Sequence, residues 1–397
     1  MRVLAVGNMF PPHHLGGYEL IWESGMELLR DAGHDVQVLT TDCAVEEPEP
    51  RPDPGFPVRR ELRWYLRDHA FPRLSARERL GVERHNARVL AAVLDEFRPN
   101  AVAWWAMGGM SLSLIEQVRA AGIPSVAALC DDWFAYAGEV DAWTRAFAKR
   151  PRLASAIGAA TRLPTRPDPG AAIDSWVFLS EELAGRATDA GLSPRATRVA
   201  HRGADPMFRV AGAERPPWRW RLIYLGRIDE RKGVDLAIEA LAHLPDEATL
   251  RIVGSGDDEE LARLRALAPP DRVTFAGVPR AELPELVASM DALLFPVRWR
   301  EPWGLVPLEA MAAGTPVVAS GRGGSGEYLR DGENSLIFDP DEGPGALAAA
   351  VRRLADEPEV RDRLRVGGLA TADGLDPRGF ERAVAEELER VGAKPKG

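Results

Sequence analysis

The chain of 397 residues carries 50 Lys+Arg against 60 Asp+Glu, a formal net charge of −10, with 45% apolar and 7% aromatic residues. That balance excludes collagenous, disordered and disulfide-stapled classes, and at roughly 100–200 residues per domain the length holds about two or three domains. Two cysteines, Cys43 and Cys130, lie too far apart in sequence to suggest a zinc or redox pair and fit a reducing compartment.

MRVLAVGN opens directly on an apolar strand and lacks the charged region, apolar run and cleavage site of a signal peptide. No apolar run approaches the roughly 20 residues of a membrane span, so the expected address is the cytoplasm. Along the chain, short runs rich in Val, Ile and Leu alternate with segments of helical period, the signature of parallel strands with crossover helices. The first series runs through RVLAVGN within 1–8, a helix from about Tyr18 to Ala32, DVQVLTT at 35–41, AVAWW at 101–105, PSVAAL at 124–129 and SWVFLS at 175–180. The second runs through RLIYLG at 221–226, TLRIVG at 249–254, RVTFAG at 272–277, DALLFP at 291–296 and TPVVAS at 315–320. The expected fold is therefore α/β, two doubly wound halves at 1–205 and 219–376 joined by a Pro- and Gly-containing linker at 206–218. A last helix within 377–397 is expected to pack back on the first half. Pro-rich stretches at 46–57 and 161–170 read as loops. Ligands of such sheets sit beyond the carboxyl ends of strands, which directs attention to a cleft between the halves.

The most informative stretch is EPWGLVPLEAMAAGTPVVAS at 301–320. Pro307 is placed to open a helix that Gly314 closes, with Glu309 in its first turn. Backbone N–H groups from Gly304 through Leu305 to Val306 are then free at a helix start, a site suited to an anion such as phosphate. A carboxylate grips adjacent hydroxyls, so Glu301 and Glu309 suit a sugar and a ribose; a solvated Glu301 and a dipole-favoured Glu309 are the plain alternatives. In YLGRIDERKGVDLAIEAL at 224–241, Arg227 and Lys232 follow a strand and can neutralise a diphosphate, or simply line a solvated loop. In FPPHHLGGYE at 10–19, the pair Gly16 and Gly17 lets amides approach a phosphate.

In order and spacing these segments resemble the retaining nucleotide-sugar glycosyltransferases of family 4, as do VFLSEEL at 177–183, HRGAD at 201–205, IVGSG at 252–256, VTFAGVPRAEL at 273–283 and GGSGEYLRDGENSLIF at 323–338. The resemblance covers nearly the whole chain and implies the GT-B fold: two facing Rossmann-like domains, the first binding the acceptor and the second the nucleotide sugar. It further implies that Glu301 binds donor-sugar hydroxyls and Glu309 the ribose. Gly304, Leu305 and Val306 would offer amides, Arg227 and Lys232 would neutralise the diphosphate, and Gly17 would lie near the distal phosphate. On this reading Arg227, Lys232 and Glu301 form the catalytic set. The chain departs from the family at LCDDW, 129–133, where Cys130 stands in place of the usual His and Asp131 matches the family's Asp.

The implied reaction transfers a glycosyl group from a nucleoside diphosphate sugar to an acceptor hydroxyl with retention of configuration, without cofactor or required metal. A nucleotide-sugar 2-epimerase and a catalytically idle sugar-nucleotide-binding protein are the alternatives. Retaining glycosidases also use two carboxylates but need no phosphate clamp. The fragment GSGDDE at 254–259 lacks the third glycine of a dinucleotide fingerprint. Acceptor candidates are His13, His14, Trp104, Cys130, Asp131, Asp132 and Trp133, with buried core the competing role for the tryptophans and Cys130. Residues 59–88 hold nine Arg and four acids with interleaved Trp64, Tyr65, Leu66 and Phe71. That is either a salt-bridged helical face or a peripheral contact for an anionic membrane. Nucleic acid is not an expected partner.

Overall fold

A computed structural model describes residues 1–14, 16–45, 51–66, 71–210 and 217–393. They form two compact units, one comprising Met1–Ala200 and the segment from Phe380 onward, the other His201–Gly379.

The first unit is built on seven parallel strands: β1 (Arg2–Val6), β2 (Asp35–Thr41), β3 (Val58–Leu62), β4 (Ala101–Trp104), β5 (Ser125–Leu129), β6 (Ser175–Phe178) and β7 (Thr197–Val199), in the order β3-β2-β1-β4-β5-β6-β7. The central strands are buried on both faces, which is why they read as unbroken apolar runs. The helix Gly17–Asp31 crosses from β1 to β2. The final helix Gly379–Gly392 belongs to this unit through Phe380, which meets Trp105 edge-on at 6.3 Å, and Glu387, which accepts from Ser175 Oγ at 2.6 Å.

Strand β3 lies in the arginine-rich segment read as a helical face or a membrane contact. Its charge is compatible with a strand because it is an edge. Arg59 pairs with Glu61 and Glu96 at 2.7 and 2.6 Å, and Arg60 donates to the carbonyls of Phe10 and Pro11 at 2.9 and 2.5 Å. Of the apolar residues interleaved there, Trp64 and Tyr65 are buried, with Trp64 Nε1 donating to Gly108 O at 2.9 Å, whereas Leu66 is half-buried and Phe71 exposed. Residues 67–70 of that segment lie outside the described residues, as do 46–50 of the first Pro-rich stretch. Of the second stretch, 161–170, Thr161 ends one helix (Pro151–Thr161) and Pro169 opens another (Pro169–Ala172).

Behind β3 the first unit holds a buried polar knot. The Glu83 carboxylate accepts from Tyr65 OH at 2.5 Å, Ser111 Oγ at 2.8 Å and Ser113 Oγ at 2.5 Å. Asp141 close by accepts from the amides of Leu112, Trp143 and Thr144 and from Thr144 Oγ. Burial, then the Asp141 charge, push Glu83 up to about 7. The folded state therefore holds a proton that the unfolded chain, with an ordinary Glu near 4.3, has released. The contribution of Glu83 to stability therefore falls as pH rises between those values, because the native state binds more protons at that group. Melting temperatures measured across that window should decline more steeply for wild type than for Glu83→Gln; parallel slopes would show that Glu83 titrates normally.

The second unit has six parallel strands, β8 (Arg221–Leu225), β9 (Thr249–Val253), β10 (Val273–Ala276), β11 (Ala292–Phe295), β12 (Val317–Ala319) and β13 (Leu336–Ile337), ordered β10-β9-β8-β11-β12-β13. It starts at His201, not after residue 218 as the linker reading implies. The short turn Pro206–Phe208 packs on the helices Leu283–Ala288 and Leu305–Ala312 with Phe208 fully buried, so the segment is part of the unit's core. Residues 211–216 of the expected linker lie outside the described residues.

Candidate active site

In the second unit the winding reverses between β8 and β11, and ligands of such sheets gather beyond the carboxyl ends of the strands at that point. The loop after β8 carries Arg227 and Lys232; the loop after β11 carries Trp299, Glu301 and Gly304. The geometry joins the two loops directly: Lys232 Nζ lies 2.6 Å from Glu301 Oε2, and Trp299 Nε1 donates to the same oxygen at 2.8 Å. Among the described residues nothing donates to Glu301 Oε1, and two of the three Lys232 ammonium hydrogens have no acceptor.

Arg227 is held by its Nε on Asp229 Oδ2 at 3.1 Å, leaving both terminal nitrogens without a partner among the described residues, an open fork for two oxygens of an anion. Burial pushes the Asp229 carboxyl up, but the hydrogen bond from Arg231 and the charges of Arg231, Arg227 and Lys232 outweigh it and hold Asp229 below the usual carboxylate range. It stays ionised as the anchor of the cationic loop.

The helix Leu305–Ala312 opens at Leu305, two residues before the expected Pro307. Proline is harmless as its third residue because the first turn's N–H groups lack intrahelical acceptors anyway. The Leu305 and Val306 amides therefore point out of the helix start with no acceptor among the described residues. Gly304 precedes them at φ 79°, ψ 86°, and a side chain there would press on Phe295 at 3.1 Å and Glu301 Cγ at 3.4 Å. With the helix start moved, Glu309 falls in the second turn and is buried; burial pushes its carboxyl up, and Arg280, 3.8 Å away, and Arg202 partly oppose that.

Sequence reasoning missed four residues here. Trp299 had a local signal, an aromatic side chain two positions before the carboxylate. Tyr328 had none: its hydroxyl donates to Gly304 O from 24 residues away, between the fields of Glu301 and Glu309. Arg280 and Arg202 frame Glu309, and Arg280 also reaches Asp205 at 2.9 Å. His201 stacks on Trp303 at 4.4 Å and meets Glu327 at 3.0 Å. Asp339 and Asp341 serve Arg322, at 2.9 and 2.5 Å.

In the first unit the candidates separate. Trp104 and Trp133 are fully buried, Trp133 stacked on Trp176 at 5.7 Å, so neither has a face to offer an acceptor. Trp104 ends a strand buried on both faces, where either side-chain orientation enters core, and Trp133 opens the helix Trp133–Val140. Gly16 caps the helix Gly17–Asp31 with its N–H on Glu19 Oε2 at 3.1 Å; a side chain at Gly16 or Gly17 would meet nothing within 4 Å. His13 Nδ1 accepts from Val45 N at 3.2 Å, and burial, then Arg60, lower its basicity. His14 and Cys130 are half-buried. Asp131 accepts from Tyr136 OH at 3.2 Å and Trp133 N at 3.4 Å; burial, then the Asp132 charge, push it up to about 7. Asp132 is engaged by Arg186.

Residues 213–368, which contain the loops after β8 and β11 and the helix Leu305–Ala312, match the family model of glycosyl transferases group 1. Among curated relatives, a putative glycosyltransferase, YtcC, of Bacillus subtilis is 30% identical over 195 residues, 42% of this chain and 48% of that protein. Glycogen synthase of Mycobacterium tuberculosis is 38% identical over 148 residues, 36% of this chain and 35% of that protein. The chain thus spans about half or less of the length of these relatives. Among solved structures, sucrose-phosphate synthase from Thermosynechococcus elongatus superposes with a TM-score of 0.74 at 19% identity, covering 99% of both chains. Anabaena HepE in complex with UDP and glucose gives 0.70 at 20% identity, covering 98% of this chain and 99% of that one. The fold is that of these GT-B proteins: two parallel-sheet α/β Rossmann-like units, with the family-model match lying in the second. No described helix is long and apolar enough to cross a membrane, and no described cluster of three or more His, Cys, Asp or Glu is arranged to hold a metal.

Proposed function

We propose that the protein is a glycosyltransferase that moves a sugar from a nucleoside diphosphate sugar to an acceptor hydroxyl with retention of anomeric configuration. The observation that carries this reading is the Lys232–Glu301 pair at the switch point, flanked by the open Arg227 fork and the free Leu305 and Val306 amides. An anion and a polyol are the two chemistries those groups satisfy at once, and a nucleotide sugar contains both.

In the proposed reaction the bond from the anomeric carbon to the diphosphate oxygen breaks and its electron pair leaves with the diphosphate. The acceptor oxygen bonds to the anomeric carbon on the same face, and its proton passes to the leaving diphosphate. Charge grows on that leaving group, so Lys232, Arg227 and the helix-start amides stabilise the transition state more than the ground state. In this reading side chains supply the positive charge and no metal bridge is needed. Glu301 holds sugar hydroxyls through Oε1, and Glu309, flanked by Arg280 and Arg202, holds the ribose. In the first unit Asp131 is the proposed acceptor contact, because its raised proton affinity lets it donate as well as accept.

A thermal-shift panel of nucleotide sugars, headed by UDP sugars because HepE is known with UDP, tests the reading. A bound donor at 100 times its Kd adds about 2.7 kcal/mol, a shift of several degrees. A panel in which no nucleotide sugar or nucleoside diphosphate moves the transition refutes the donor site.

A further inference from the structure

We infer that Trp299 is a positioning residue that holds Glu301 and Lys232 as one unit and so sets the preference for a nucleotide sugar over the free nucleoside diphosphate. This rests on the reading of the switch-point site as a nucleotide-sugar site.

Trp299 is half-buried and uses both of its chemical faculties on this cluster. Its indole N–H donates to Glu301 Oε2 at 2.8 Å, while its ring carries Arg231 at 4.6 Å and Lys232 Nζ at 5.2 Å from the centroid. The edge therefore addresses the carboxylate and the faces address the cations, and the two contacts act on different parts of a ligand. With Trp299 and Lys232 both on Oε2, Glu301 is turned so that Oε1 alone is open to a hydroxyl. The π face holds the ammonium in place while leaving two of its hydrogens for phosphate oxygens. Arg231 is anchored at its other side by Asp229, at 3.3 Å from Nε and from Nη2, so the shelf is fixed to the loop after β8 as well. Both loops contribute, and neither alone aligns the carboxylate.

Removing the N–H and removing the ring must then have different consequences. Trp299→Phe keeps a cation-binding face and loses the donor to Glu301; Trp299→Ala loses both. Calorimetric titration of wild type and both variants with UDP-glucose and UDP, and with ADP-glucose and ADP, reads the difference. For whichever pair binds wild type, Trp299→Phe is expected to weaken the nucleotide sugar at least fivefold while leaving the nucleoside diphosphate within twofold, and Trp299→Ala to weaken both. Circular dichroism confirms folding of each variant, and a merely structural role would lower both affinities together. If wild type binds a pair and Trp299→Phe keeps its sugar-to-diphosphate affinity ratio, the inference on Trp299 is wrong and the site reading stands. If wild type binds no member of either pair and no nucleotide sugar or nucleoside diphosphate of the thermal-shift panel, the site reading fails and takes this inference with it.

Discussion

Lys232→Ala is expected to lower turnover about 10²–10³-fold, the range for losing one preorganised donor to developing negative charge, about 2.7–4 kcal/mol. Lys232 should outweigh Arg227 for a reason visible in their surroundings. The side chain of Lys232 is 15% exposed and that of Arg227 43%, so water screens the Arg227 charge far more. Loss of Lys232 also leaves Glu301, itself 12% exposed, without its counter-ion beside the incoming diphosphate, adding repulsion where attraction is needed. Lys232→Arg is not a rescue, since a planar fork cannot occupy a point-charge position over Trp299 and against Glu301 Oε2. Steady-state kinetics with the donor identified by thermal shift decide the matter. Turnover of Lys232→Ala within threefold of wild type would remove Lys232 from the mechanism, whatever its effect on KM.

How much of this was legible beforehand depends on which interactions are local. The strands β1, β4, β5, β8 and β11 were readable because a parallel strand covered on both faces needs an uninterrupted apolar run, and the turn of the chain into helix after each run is equally local. Strand β3, VRREL, was unreadable because an edge strand tolerates arginine and its pairing with β2 depends on partners such as Glu96, 37 residues away. The boundary at His201 was displaced for the same reason: Trp303 Nε1 bonds Arg202 O and Arg280 bonds Asp205, contacts spanning 101 and 75 residues. At the site, Glu301, Gly304 and Glu309 share one segment and were found together. The pairing of Lys232 with Glu301 is a product of strand order, since only adjacency of β8 and β11 brings their two loops together. The tryptophans misled because an aromatic ring at a strand end has the same composition whether it faces solvent or core. Trp104 and Trp133 are core, while Trp299, unremarked in the sequence, is the ring that meets charge.

Gly323→Ala should destabilise the second unit and displace Glu301 together. Gly323 sits at φ 76°, ψ −148°, a region of backbone space that is almost exclusively glycine's and costs any other residue about 1–3 kcal/mol. A methyl group there would also lie 2.4 Å from both the nitrogen and the carbonyl oxygen of Glu301 and 2.6 Å from the Arg300 carbonyl carbon. Those are backbone atoms, which cannot swing aside as a side chain can, so overpacking adds about 1–3 kcal/mol more. The displaced atoms belong to the bridge that pairs Glu301 with Gly323 and to the bond from Gly324 N to Glu301 O at 2.7 Å. The strain is therefore delivered to the residue proposed to hold the sugar. Gly332→Ala is the matched control: its φ is 72°, but a methyl group there would meet nothing within 4 Å. It should pay only the conformational term and leave donor affinity unchanged. Urea unfolding and donor titration of the two variants side by side separate the effects, Gly323→Ala losing both stability and sugar affinity and Gly332→Ala stability alone. Equal donor affinity in the two would mean that Glu301 is not held in place through its backbone, and that its carboxylate finds the sugar by side-chain freedom instead.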